Sequence, residues 1–182
     1  YTKYLNDYCK NNVIFFSFSS KPSLAKDCIY LLNFFPKNEL SQLLSYLNND
    51  ARVALLYPEN EYGYLINSFI DNLIFESPAI LVNRSSYKDD LSNVREAIKE
   101  LGKYELRKYE LNRQKQILSS KKDEKSKKRL KKLERFKTTS DYDFTHVLIA
   151  DYGLNLLQVA PLLPYYDIDP NIVQFMGTGV ID

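Results

Sequence analysis

The chain has 182 residues, is 45% hydrophobic, carries a formal net charge of +2, and contains one histidine and two cysteines. This length suits one domain, or one lobe and part of another, and the apolar fraction is sufficient for a core. No apolar run is long and uncharged enough to cross a membrane. Because the chain has a single histidine, metal sites that need several histidine ligands are excluded.

Short apolar runs alternate with segments of helical periodicity along the chain. Residues 13–16 form the first run, which ends in the polar sequence SFSS and precedes Pro22, a typical first residue of a helix. A second run covers residues 29–34, and the leucine spacing predicts a helix over residues 38–47. The order indicates strands followed by helices.

The clearest unit is residues 52–74. Residues 53–57 are almost continuously apolar, as expected of a strand that is covered on both faces. The sequence PENE breaks the run, and apolar residues then recur at helical spacing from Leu65 to Leu73. This pattern predicts a β-turn-α unit with Asn60, Tyr62 and Gly63 just beyond the strand.

Three further strands are predicted at residues 79–82 (extending towards Tyr87), 146–150 and 172–176, with a helix over residues 154–163. The apolar runs lack the alternation of a half-exposed strand. We therefore predict an α/β fold with mainly parallel sheets flanked by helices.

A strongly basic segment separates two of these strands. Residues 103–137 carry fifteen Lys/Arg and five Asp/Glu. Weak helical periodicity predicts one helix over residues 91–118, a turn at SSKKD, and a returning helix over 125–136. This inserted hairpin, about residues 91–137, is either a solvated element or a surface for a partner protein or an anionic surface. Nucleic acid is disfavoured because no recognition motif or aromatic platform accompanies the charge.

Catalytic constellations are nearly absent. His146 begins a predicted strand and is interpreted as structural, and there is no Gly-x-Ser-x-Gly elbow, Walker A loop or Gly-x-Gly-x-x-Gly motif. Cys9 and Cys28 lack metal-type spacing, so two free thiols are expected, with a disulfide pair as the alternative. The chain is predicted not to be an enzyme and to use no metal or cofactor.

Polar and aromatic residues follow the predicted strands, where open parallel sheets bind ligands. Ser20 can cap a helix whose free N–H groups hold a carboxylate, and Tyr62 can supply a pocket wall and a hydroxyl. The alternatives are that Ser20 is only a helix cap and that Tyr62 only packs against the start of the helix. The candidate ligand-binding residues are Ser19, Ser20, Tyr62, Asp151, Tyr152 and Thr178.

The series SFSSKPSL, RVALLYPENEYG, HVLIADYGLNLLQVAPLLPYYDI and VQFMGTGVID resembles type I periplasmic binding proteins, such as leucine/isoleucine/valine-binding proteins. It resembles the penicillin-binding protein activator lipoproteins of Gram-negative bacteria more closely. The run APLLPYYDIDPN, followed by a strand and GTG, is the most specific element, and the charged helical insertion is a further similarity.

The resemblance implies two α/β lobes joined by crossing strands, with a ligand cleft between them. Residues 1–50 would match the end of lobe one and a crossing segment, and residues 51–182 would match lobe two with its hairpin insertion. The chain is therefore expected to be a fragment. Another chain, such as a second copy of this one, or a rearrangement is expected to cover the incomplete lobe.

In amino-acid-binding relatives, the segment matching Ser19-Ser20 holds the ligand carboxylate and amine, and the tyrosine matching Tyr62 closes over the ligand. Positions near Asp151, Tyr152 and Thr178 would face the cleft from lobe two. Thr178 stands where those relatives have an acidic residue for the ligand ammonium. That departure favours the activator group, in which the fold serves protein contact.

Two functions follow from the resemblance. The first is a non-catalytic module of the periplasm that binds an envelope protein such as a peptidoglycan synthase, with an outer-membrane lipid anchor outside this chain. The second is the substrate-binding protein of an ABC transporter for an amino acid or a similar small molecule. Neither function involves nucleic acid or a cofactor.

Overall fold

The computed structural model describes residues 13–19, 22–32 and 36–178. The described strands are β1 (Phe15–Ser17), β2 (Ile29–Leu31), β3 (Arg52–Pro58), β4 (Ile80–Tyr87), β5 (His146–Ile149) and β6 (Gln174–Gly177). The described helices are α1 (Pro36–Ser45), α2 (Glu61–Phe75), α3 (Val94–Leu101), α4 (Tyr104–Ser119), α5 (Glu124–Leu133), α6 (Gly153–Val159) and α7 (Leu162–Tyr165). None of these helices has the length and apolar character needed to cross a membrane.

The chain divides into two compact units, Tyr1–Leu43 and Leu44–Asp182. In the first unit, β1 and β2 pair in parallel, with Phe15 opposite Ile29, and a short 3-10 turn covers Pro22–Leu24. Cys28 is buried and disulfide-bonded, so the expectation of a free thiol is wrong for this residue. The chain's other cysteine, Cys9, lies outside the described residues. Spacing alone gave no sign of this bond because a disulfide requires proximity in space rather than in sequence.

The second unit contains a four-stranded sheet in the order β4-β3-β5-β6. All three strand pairs are parallel, which confirms the predicted mainly parallel arrangement. Parallel neighbours must be joined by crossovers, and helices of this unit supply them between successive strands. The carboxyl ends of the strands therefore lie at one edge of the sheet.

The central strands are buried because helices cover both faces of the sheet. Residues 53–56 of β3 are completely buried, and residues 147–149 of β5 are at most 2% exposed. The buried side of α3 joins this core through Val94, Ala97, Ile98 and Leu101. Continuous apolar runs in the sequence thus correspond to strands with no solvent-facing side.

The helical segment before the basic turn is interrupted, so the prediction of one helix over residues 91–118 is wrong. α3 ends at Leu101, and Lys103 takes the left-handed backbone conformation with φ of 48° before α4 begins. A Cβ at Gly102 would lie 3.1 Å from Ile168 and 3.3 Å from the Arg107 guanidinium, so the chain turns closely against both. α3 consequently packs in the core, whereas α4 and α5 form the basic hairpin.

Arg107 attaches the hairpin to the rest of the second unit. Its side chain is 4% exposed and donates hydrogen bonds to the carbonyl oxygens of Gly102, Thr139, Tyr166 and Asp167 and to Thr138 Oγ1, at 2.6 to 3.2 Å. The guanidinium carbon also lies 4.7 Å from the centre of the Tyr142 ring. Burial lowers the pKa of Arg107, while nearby Tyr142 and Asp167 favour its charged form. The base of the hairpin is therefore held by one buried cation.

Candidate functional site

The start of α2 is fixed against the end of β4. Asn60 caps the helix, since its Oδ1 accepts a hydrogen bond from the Gly63 N–H at 2.9 Å. Asn60 Nδ2 donates to Asp89 Oδ1 at 2.6 Å, and Glu59 N donates to the Tyr87 carbonyl oxygen at 2.7 Å. These bonds place the first turn of α2 beside the residues that follow β4.

Two tyrosine rings are in contact at the edge of the sheet formed by the carboxyl ends of the strands. The rings of Tyr62 and Tyr152 have centres 5.0 Å apart and an interplanar angle of 84°, the edge-to-face arrangement that aromatic pairs favour. Tyr62 Oη donates to Thr178 Oγ1 at 2.7 Å, and Thr178 is completely buried. Tyr152 remains 45% exposed, so its ring offers an accessible aromatic surface.

Asp151 is a buried carboxylate at the carboxyl end of β5. It is 1% exposed, and its Oδ2 accepts a hydrogen bond of 2.5 Å from Tyr87 Oη. Its Oδ1 accepts the Tyr152 N–H at 2.8 Å. A carboxylate has about four acceptor positions, so these two bonds orient the group and leave acceptor capacity.

Burial and the hydrogen bond to Asp151 raise the pKa of Tyr87 above its ordinary value. The folded state therefore retains this proton where the unfolded chain, with a tyrosine pKa of about 10, has released it. The stabilisation is complete below pH ~10 and is lost as the pH rises above that value. We expect the free energy of unfolding to fall by up to about 1.4 kcal/mol per pH unit from this residue.

The Tyr87→Phe variant isolates this contribution. At neutral pH it leaves the buried Asp151 without its phenolic donor, and we expect a loss of about 2 kcal/mol in urea unfolding. Above pH ~10 the difference between variant and parent should shrink, because only the parent chain has the Tyr87 contribution that is lost there. A difference that stays constant up to pH ~12 would show that Tyr87 does not carry the linkage.

An open cleft of about 510 Å³ lies at this edge of the sheet, within the second unit. Three carboxylates border it, from Glu61, Asp89 and Asp151, together with the two tyrosine rings. Its described lining residues include no lysine or arginine; the remainder are Asn60, Gly153, Leu154 and Asn155. The local charge is negative, so the cleft favours a cationic group over an anionic one.

The structure brings together four of the six predicted site residues. Tyr62, Asp151 and Tyr152 line the cleft, and Thr178 is bonded to Tyr62 behind it. Ser19 lies in the first unit beyond the end of β1, where its N–H donates to Ser17 Oγ at 3.2 Å. Ser20 lies outside the described residues. The ligand-binding role of all six residues stays a prediction.

Sequence reasoning missed Glu61, Tyr87 and Asp89 as site residues. The continuous part of the β4 prediction ended at residue 82, whereas the strand continues to Tyr87 through the polar residues Asn83, Arg84, Ser85 and Ser86. The prediction allowed an extension of this strand towards Tyr87, and that extension places Tyr87 and Asp89 at the same edge as Asn60, but neither residue was chosen as a site residue. Glu61 lies between two residues that the sequence had already placed beyond β3.

Comparisons with known sequences do not assign the chain to a family. No protein-family model matches the chain. Over 93 residues the chain is 23% identical to the uncharacterized protein RP748 of Rickettsia prowazekii (strain Madrid E), a match that covers 50% of this chain and 25% of that protein.

Two solved structures are similar to most of the chain. An extracellular ligand-binding receptor from Verminephrobacter eiseniae has a TM-score of 0.53 at 12% identity, over 95% of this chain and 40% of that one. A substrate-binding periplasmic protein from Ralstonia solanacearum has a TM-score of 0.53 at 12% identity, over 87% of this chain and 34% of that one. The chain thus spans less than half of each structure. The α/β fold of the chain is therefore similar to part of the fold of these ligand-binding proteins, and the predicted fold class is confirmed.

Proposed function

We propose that this chain is a non-catalytic binding module that takes a small, positively charged molecule in the cleft of the second unit. The observation that carries the proposal is the meeting of Tyr62, Asp151 and Tyr152 around an open cleft at the carboxyl ends of the strands. Solute-binding folds of this class use the same edge of the sheet. An ammonium group there gains both carboxylate and aromatic contacts.

The acidic lining bears on the sequence argument against amine binding. That argument rested on Thr178, which stands where amino-acid-binding relatives have an acidic residue. Glu61, Asp89 and Asp151 supply negative charge from other positions, and Thr178 is hydrogen-bonded to Tyr62. An amino acid or a similar amine therefore suits the cleft, which favours the substrate-binding function over pure protein contact.

We propose that the protein is located in the periplasm, which is an oxidising compartment. The disulfide-bonded Cys28 supports this location, because disulfides persist outside the reducing cytosol. An outer-membrane lipid anchor outside this chain belongs to the same proposal and is testable on the full-length protein by metabolic labelling with a radioactive fatty acid.

Calorimetric titration tests the cleft. We expect putrescine and L-lysine to bind and pimelate, a dianion of similar length, to give no heat of binding. Asp89→Asn removes one carboxylate charge but keeps an acceptor for Asn60, and we expect it to weaken amine binding about 5-fold. Glu96→Gln, an exposed change on α3 away from the cleft, is the matched control and should leave binding unchanged. Equal binding of pimelate, or equal effects of the two variants, would contradict the proposal.

Regulation of a peptidoglycan synthase is the second candidate. It is favoured by the outer side of α6, where Leu154 is 75% and Leu157 is 61% exposed beside the cleft. Exposed apolar side chains that lie together mark protein contact surfaces. Recovery of a purified bifunctional synthase on the immobilised chain should fall when both leucines are changed to serine. Unchanged recovery would remove the support for this function.

A further inference from the structure

The basic hairpin presents a nearly continuous cationic face. In α5, residues 125–132 contain six Lys/Arg and no Asp/Glu. All ten Lys/Arg between residues 121 and 137 have exposed side chains. At 100° per residue, Ser126, Leu130 and Leu133 share the side that packs against α4, and the basic residues cover the rest of the helix surface. One side of α5 thus fixes the helix, and the other side carries the charge.

The acidic residues at the start of α5 do not neutralise this face. Asp123 caps the helix by accepting the Ser126 N–H at 2.9 Å. Hydrogen bonding from the Ser126 side chain, and then from its N–H, lowers the pKa of the Asp123 carboxyl. Glu124 pairs with Lys127 at 3.0 Å. Within the part of the chain that the structure describes, no other Lys or Arg of residues 121–137 forms a salt bridge. The charge is therefore available to an external partner.

We propose that this face binds the surface of an anionic phospholipid membrane. Eight of the ten basic residues are lysines. The compact charge of lysine attracts phosphate headgroups in any orientation, whereas the forked guanidinium of arginine suits paired contacts with one carboxylate or phosphate. Each such residue near an anionic bilayer strengthens binding several-fold. The contact is at the membrane surface, and it leaves the cleft free because the cleft lining comes from other elements.

Nucleic acid and acidic protein suit the face less well. Single-stranded nucleic acid binds where aromatic side chains interleave with the charge, and residues 121–135 contain no aromatic residue. A specific acidic protein requires a shaped surface with apolar anchors near its centre. The exposed side of α5 between residues 125 and 132 is composed of lysine and arginine alone. The flat, fluid and negatively charged surface of an anionic membrane is complementary to such a side.

Vesicle co-sedimentation tests the proposal with the full chain. We expect binding to vesicles of phosphatidylcholine mixed with phosphatidylglycerol, weakening as salt rises, and no binding to phosphatidylcholine alone. Reversing Lys125, Lys128, Lys131 and Lys132 to glutamate should weaken the binding at least ~100-fold. All four side chains are exposed, so circular dichroism and the melting temperature should stay close to those of the parent chain.

The matched control reverses Lys26, Lys37, Arg52 and Arg95, which are exposed and lie outside the hairpin. It changes net charge by the same amount, so it should retain binding within about 3-fold if the position of the charge matters. Equal losses in the two variants, salt-independent binding, or equal binding to neutral vesicles would overturn the proposal. Tighter binding to duplex DNA at the same salt would also overturn it, and would assign the face to nucleic acid.

Discussion

Replacing Gly63 with alanine should destabilise the second unit by about 3 kcal/mol or more, because the added methyl group overlaps the backbone of β3. A Cβ at this position would lie 1.9 Å from the Pro58 carbonyl oxygen and 3.0 Å from the Pro58 carbonyl carbon. Backbone atoms cannot move aside as the end of a flexible side chain can. α2 must shift as a whole, and Asn60 and Tyr62 would shift with it.

Thermal unfolding checks this prediction, with an expected fall in the melting temperature of about 10 °C. Alanine normally favours a helix by about 1 kcal/mol over glycine, so an absence of close packing would give the opposite sign. Gly153→Ala is the control. Gly153 has φ of 57° and nothing near the position of its Cβ, so only about 1 kcal/mol of backbone strain is expected. Equal losses for the two glycines would refute the packing explanation.

Replacing Arg107 with methionine should cost about 3 kcal/mol and release the base of the hairpin. Methionine has a similar length but no donor, so four carbonyl oxygens and the Thr138 hydroxyl each lose one hydrogen bond. The Asp167 carbonyl oxygen keeps its bond from Tyr142 Oη, and the Thr138 hydroxyl keeps its bond to Asp167 Oδ2. Arg107→Lys keeps the charge but cannot reach all of these groups from one nitrogen, and we expect an intermediate loss.

Urea unfolding measures the loss, and hydrogen exchange locates it. Amides of α4 and α5 should exchange faster, while those of β3 and β5 should change least. Lys108→Met, at the neighbouring exposed position, should stay within about 0.5 kcal/mol of the parent chain. If Lys108→Met and Arg107→Met had the same effect, the buried contacts would not be what holds the hairpin.

The sequence predicted those parts of the fold that depend on local pattern. The apolar run at residues 53–56 predicted a strand buried on both faces, and the spacing of leucine and isoleucine after Asn60 predicted α2. The break at Gly102 was not predictable in the same way. It depends on Ile168 and Arg107, which approach Gly102 only in the folded chain. The residues on both sides of Gly102 favour helix formation, so the sequence pattern gave no sign of the break.

The candidate site was predictable to the extent that it follows strand ends. Asp151 and Tyr152 come directly after an apolar run, and Tyr62 follows another run after the turn PENE, so their meeting follows from a parallel sheet. Tyr87 is the last residue of β4 and Asp89 follows it; β4 is an edge strand of the described sheet and has a neighbour on one side only. An edge strand tolerates polar residues, and the apolar signal therefore ended before the strand did.

The contacts of Arg107 also constrain the order in which the chain assembles. Only the Gly102 carbonyl oxygen precedes it in sequence, and the other four acceptors lie 31 to 60 residues later. As the polypeptide emerges during synthesis, α4 and α5 can close on each other before any of the segment around Tyr166 exists. Until that segment arrives, water must take the place of the Tyr166 and Asp167 carbonyl oxygens at the guanidinium. We therefore expect the attachment of the hairpin to be completed late, and a chain interrupted before Tyr166 to hold its hairpin by fewer of the Arg107 hydrogen bonds.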